Sequence, residues 1–100
     1  MSTYVVLTRI SPESMGSPAT LRKLEDAVKQ KVSKHCPKVK WLASYAVLGP
    51  YDYLDLIEAP DDVAASKVAT IIRSFGHATT ETWGAVPWDR FKQTLEELAS

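Results

Sequence analysis

A chain of 100 residues with 45% hydrophobic and 24% charged side chains has the size and composition of one globular domain with its own core. Its formal net charge is zero, which excludes the broad field that draws proteins onto nucleic acid or anionic membrane, so neither is expected as a partner. The single cysteine, Cys36, excludes an internal disulfide and suits a reducing compartment.

Residues 3–10 (TYVVLTRI) are β-branched, aromatic and apolar and read as a strand. Tyr4 and Val6 fall on one face, Val5 and Leu7 on the other, so both faces expect cover. The apolar stretch is too short for a signal peptide or a membrane span, and no basic segment precedes it, so the expected location is the cytoplasm. Residues 11–18 (SPESMGSP), with two prolines and Gly16, read as a loop. A helix follows over 18–35. Ser17 suits its N-cap and Pro18 its first position, and Leu21, Leu24, Val28 and Val32 make one apolar stripe. Pro37 stops it.

Residues 39–48 (VKWLASYAVL) read as a second strand and 51–58 (YDYLDLIE) as a third. Gly49-Pro50 between them fits a tight type II′ hairpin turn. The next helix opens at Pro60-Asp61, capped by Asp61 or Asp62. Ala64, Val68, Ile71, Ile72 and Phe75 are its buried stripe, and Gly76 ends it. Residues 77–85 (HATTETWGA) read as a fourth strand. Pro87 starts a last helix with Trp88, Phe91, Leu95 and Leu98 on one side.

The order is therefore βαββαβ with an extra C-terminal helix, an α+β fold. Two right-handed crossovers interleave into an antiparallel sheet of order 4-1-3-2, with both crossover helices on one face. One short helix cannot cover the other face of four strands, and its apolar content argues against exposure. Self-association, as a homodimer or higher homo-oligomer, is the expected remedy.

The stretch 48–62 (LGPYDYLDLIEAPDD) resembles the GYD-domain family, and 75–91 (FGHATTETWGAVPWDRF) is similar to one subgroup of it. Gly49, Tyr51 and Asp52 correspond to the signature, with Pro50 interposed. The resemblance extends more weakly over nearly the whole chain. It implies a ferredoxin-like fold of the dimeric α+β barrel type, in which two subunits place their open sheet faces together. Barrels of this kind serve monooxygenases, dehalogenases, isomerases and ligand-sensing modules, so the fold alone names no reaction.

Strand phase selects the candidate pocket residues. Leu54 and Leu56 suit the helices, which sends Tyr53, Asp55 and Ile57 to the open face. On the fourth strand the small set Ala78, Thr80, Thr82 and Gly84 suits helix packing, leaving His77, Thr79, Glu81 and Trp83 for the barrel. Charged side chains within strands call for partners. Asp55, His77 and Glu81 are thus expected to set the polarity of a ligand pocket, with Tyr45 and Trp83 as its walls. The competing reading is a set of paired polar groups that fix a subunit interface. A one-residue slip in phase exchanges these assignments.

Other chemistry is weaker. His77 and Glu81 are four residues apart on a strand, about 13 Å at ~3.3 Å per residue, too far for one ion, so no metal site and no cofactor are expected. Cys36, beside His35 at the end of a helix, reads as a buried, inert thiol. Lys29, Lys31, Lys34, Lys38 and Lys40 read as a solvated face diluted by Glu25 and Asp26. Tyr51 and Asp52 are candidate pocket-rim residues, or Asp52 bonds to turn amides. Trp88 and Phe91 read as anchors of the last helix on its own or a neighbouring subunit.

Three functions compete. The first is a homo-oligomeric module that binds a small organic ligand within the dimer barrel. The second is a cofactor-independent enzyme, isomerase- or monooxygenase-like, with His77 or Asp55 as proton carrier. The third is a structural assembly subunit without a ligand.

Overall fold

The structure, a computed structural model, describes residues 1–15 and 17–99; the side chains of Ser14 and Met15 lie outside that description, as does Gly16. The elements run β1 (Ser2–Ile10), α1 (Pro12–Met15), α2 (Pro18–His35), β2 (Lys40–Ala46), β3 (Tyr53–Ala59), α3 (Asp62–Ser74), β4 (Ala78–Ala85) and α4 (Trp88–Ala99). The strands form one sheet of order β2-β3-β1-β4 with every neighbouring pair antiparallel. This is the interleaved topology that the two crossovers demand.

The helix starts follow their caps. Ser17 has extended backbone, and its hydroxyl accepts from the Thr20 amide at 3.3 Å. Asp61 does the same for α3, where its carboxylate accepts from the Ala64 amide at 2.9 Å. Each satisfies one amide that a helix N-terminus otherwise leaves without a partner. Gly76, at φ 77°, takes the left-handed conformation that follows a helix end. The segment expected as loop over 11–18 contains the one-turn helix α1, where Pro12 stands first and Glu13 lies in the first turn. Both suit a helix start.

The core lies between one sheet face and the helices α2 and α3. Val6, Ile57 and Val68 are its fully buried centre, with Val28, Val32, Ile71 and Ile72 closing it from the helices. Each such side chain contributes about 1.5–3 kcal/mol through removal from water. Cys36 is buried at the end of α2. The Tyr4 hydroxyl donates to Asp62 Oδ1 at 2.6 Å and ties β1 to the first turn of α3. That hydrogen bond, with burial second, raises the Tyr4 pKa above its ordinary 10.0.

Two expectations need correction. The β2–β3 connection is a six-residue loop rather than a two-residue II′ turn, because β2 ends at Ala46 and β3 begins at Tyr53. Among the described residues only Gly76 has positive φ, so Gly49 does not adopt the conformation a II′ turn requires. The loop is closed by Asp52 instead. The Val47 amide donates to the Asp52 carbonyl at 3.0 Å, the Asp52 amide donates to the Thr8 carbonyl at 2.9 Å, and the Ile10 amide donates to Asp52 Oδ2 at 2.8 Å. Arg9 adds a bond from Nε to the Pro50 carbonyl at 2.7 Å and lies over the Tyr51 ring. Asp52 is a staple between the loop and β1.

The second correction is the phase of β3. Val6 stands opposite Asp55, and Tyr4 opposite Ile57. Directly paired residues share a face. Tyr53, Asp55, Ile57 and Ala59 therefore face the helices, and Leu54 and Leu56 face away. The sequence misleads because the open face is itself apolar: Val5, Leu7, Leu54 and Leu56 all lie on it. The β4 phase is as the small-versus-bulky alternation implies, with Thr80 and Thr82 beside Thr8 and Val6 on the helix side and Glu81 and Trp83 beside Leu7 and Val5 on the open side.

The molecule measures 54 × 30 × 16 Å. Its thickness is that of one helix layer on one sheet face, about 10 Å between layers plus side chains. Its length reflects α4, which has no buried residue and makes no substantial contact with the sheet or the other helices. No helix among the described residues is long and apolar enough to cross a membrane.

Candidate functional site

The register sorts the nominated residues onto two faces. Across the open face one row runs Tyr45, Leu54, Leu7, Glu81, and the next Ala43, Leu56, Val5, Trp83. Tyr45 and Trp83, on the two edge strands, are 57% and 51% exposed, large aromatic surfaces that continue the apolar rows outward. The Trp83 indole Nε1 donates to Glu81 Oε1 at 3.2 Å, so this carboxylate is held within the face. Three of the five nominated pocket residues thus share the open face, Glu81 and Trp83 as neighbours on β4 and Tyr45 across the sheet on β2.

The other two do not join them. Asp55 faces α2. His77 precedes β4, is exposed, and its carbonyl accepts from the Ser11 amide at 2.7 Å. Asp55 stands level with Val6 on β1 and His77 level with Ser11, five residues further along, roughly 16 Å at ~3.3 Å per residue. The two are thus not brought into one site. Among the described residues no group of three His, Cys, Asp or Glu side chains is placed to hold a metal ion.

Asp55 belongs to a cavity of about 390 Å³ between α2 and the helix-facing side of β1, β2 and β3. Trp41 and Tyr53 form its aromatic walls. Trp41 Nε1 donates to Ser44 Oγ at 2.8 Å and to Asp55 Oδ1 at 3.0 Å. Strict strand alternation would put residues 41 and 44 on opposite faces. They share one because Leu42 is an extra residue: Trp41 pairs with Ile57, but Ala43 pairs with Leu56. This bulge resets the phase by one. The Tyr53 pKa is raised above its ordinary 10.0, first by burial and then by the nearby Asp52 and Glu25 carboxylates. Sequence reasoning left Trp41 and Ser44 out of any site, since a bulge leaves no compositional mark.

A second apolar surface lies on α4. Trp88, Phe91, Leu95 and Leu98 follow one helical stripe, and all four are exposed. The Trp88 and Phe91 rings meet at 5.9 Å between centroids.

The sheet order, two helices on one face and a bare opposite face define a ferredoxin-like α+β domain. Within that class the chain belongs to the GYD domain family, whose model matches residues 4–95. It is 31% identical over 90 residues to the "Glutamine synthetase and cystathionine beta-lyase binding protein" of Thermus thermophilus, covering 87% of this chain and 90% of that protein. Among solved structures it is similar to TTHA0845 from Thermus thermophilus, with TM-score 0.59, 28% identity and coverage of 87% and 95%. The structure of FFRP-DM1 shares the fold at TM-score 0.56 and 23% identity, covering 86% of this chain and 100% of that one. The leucine response regulatory protein of Mycobacterium tuberculosis shares it at TM-score 0.53 and 16% identity, covering 86% of this chain and 51% of that one.

Proposed function

We propose that the chain is a homo-oligomeric binding module whose copies pair through their open sheet faces. The carrying observation is the open face itself, where part-buried Val5, Leu54 and Leu56, around a buried Leu7, continue into half-exposed Tyr45 and Trp83 with no helix layer packed above them. A face of this kind is stable in water when a second one covers it. Glu81, held by Trp83, gives the joint a polar point at which a small organic ligand can be recognised. Sedimentation or light scattering at micromolar concentration tests the pairing. A dimer or larger assembly is expected, and Leu56→Arg should reduce it to a folded monomer. A wild-type monomer would overturn the proposal.

A second reading is favoured by the name of the Thermus thermophilus relative, which describes binding to two enzymes. Here α4 serves as a docking helix for another protein, its apolar stripe filling a groove on the partner. Phe91→Ser with Leu95→Ser should then abolish capture of that partner while the pairing of the sheet faces persists.

A further inference from the structure

The cavity beneath α2 lies on the side of the sheet opposite the pairing face and shares with it only Tyr45, at the β2 edge, and its chemistry points to a guest of its own. Its floor is lined by small side chains, Thr8, Ser44, Ala46 and Ala78, which leave space where larger residues would meet α2. Opposite them, Leu24 of α2 is only half-buried, whereas Val28 and Val32 further along are buried. The N-terminal half of α2 therefore roofs a space that its C-terminal half closes. At about 390 Å³ the space falls within the range of small-molecule sites, roughly 300–1,000 Å³, near its lower end.

Polarity within the cavity is one-sided. The charged residues that line it are Arg22, Glu25, Lys29 and Asp55. The first three belong to the exposed rim on α2, where Arg22 lies 3.8 Å from Asp26 and Lys29 lies 4.0 Å from Glu25. Asp55 alone rises from the sheet. Its Oδ1 accepts from Trp41, which leaves a carboxylate with capacity for further donors, since it offers about four lone-pair positions. Trp41 meets it edge-on through its indole N–H, and Tyr53, two residues before it on β3, shares its face. A carboxylate among aromatic side chains, on a floor whose only other polar groups are the Thr8 and Ser44 hydroxyls, complements a positive head on an apolar body.

We propose that this cavity is a binding site for a small organic cation, a primary amine carried on a compact aromatic or aliphatic body. Asp55 accepts from the ammonium group, Trp41 and Tyr53 flank it, and the apolar body lies under Leu24 and Val28. The site lies within one protomer, on the sheet face opposite the pairing surface. Each protomer therefore binds its own guest whether or not the faces pair.

Three probes of one shape separate the head group from the body: 2-phenylethylamine, 2-phenylethanol and phenylacetate. Binding is read from the indole N–H resonance of Trp41 in a ¹⁵N-labelled sample, with Trp83 and Trp88 as internal controls. The amine should shift the Trp41 resonance and bind at least about tenfold tighter than phenylacetate, the order of effect expected for a charge-assisted hydrogen bond. Asp55→Asn should weaken the amine by about the same factor and leave 2-phenylethanol unchanged. Leu24→Trp, which fills the cavity from the exposed helix side, should remove binding of all three and covers the case in which Asp55→Asn fails to fold. Leu56→Arg should still bind the amine, which keeps this test distinct from that of the pairing. Failure of all three probes to bind at millimolar concentration would overturn the proposal. So would equal affinity for amine and carboxylate, or shifts confined to Trp83.

Discussion

At the scale of single residues, the family signature has a structural meaning. Asp52 joins three strands' worth of backbone at one point: its carbonyl holds Val47, its amide reaches Thr8, and its carboxylate receives Ile10. Asp52→Ala leaves the Ile10 amide without its acceptor and should lower stability by about 1–3 kcal/mol in urea denaturation, with Asp52→Asn losing less. Tyr4 gives a pH signature. Its pKa is raised by the bond to Asp62, so the folded chain holds the phenolic proton more tightly than the unfolded chain does. That contribution is complete below pH 10 and is lost as pH rises through the folded-state value. Tyr53, also raised, adds to the same alkaline loss. Urea midpoints measured from pH 8 upward should fall beyond pH 10 for the wild type and fall less steeply for Tyr4→Phe.

At the scale of elements, the most legible features were those with a local cause. Ser17 and Asp61 announced their helices because a cap acts within three residues of sequence. Asp61→Ala should cost about 1 kcal/mol in thermal or urea unfolding, and Ser17→Ala less, since its bond is longer, 3.3 Å against 2.9 Å. The β4 phase was legible because small and bulky residues alternate there. The β3 phase was not, because Leu54 and Leu56 are as apolar as Ile57 and the choice is made by the register against β1. The candidate site is divided accordingly: Tyr45, Glu81 and Trp83 share the open face, whereas Asp55 lies on the opposite face with Trp41 and Ser44. The last helix offers a separate test. None of its residues is buried, so Phe91→Ser with Leu95→Ser should change the urea midpoint of the protomer little, within about 0.5 kcal/mol. A larger loss would show that α4 contributes to the stability of its own protomer.

At the scale of the whole molecule, stability and the proposed association rest on different surfaces. The core is closed by α2 and α3 on one side of the sheet, while the other side carries apolar rows with no layer above them. The Leu56→Arg substitution used to test pairing exploits this separation, since a charge on the open face leaves Val6, Ile57 and Val68 undisturbed. The topology itself was legible from the order of elements, because two right-handed crossovers permit one interleaving. What occupies each face was legible only where side-chain size differed between the two.

The extra residue at Leu42 carries a consequence for descent. Deleting one position there would restore plain alternation along β2, so that either Trp41 or Ser44 would turn to the opposite side of the sheet. A gap of one residue in a relative would then mark a change of inner wall rather than a harmless shortening. Lineages that keep the bulge keep the indole beside the Asp55 carboxylate, and those that lose it must build that wall from something else.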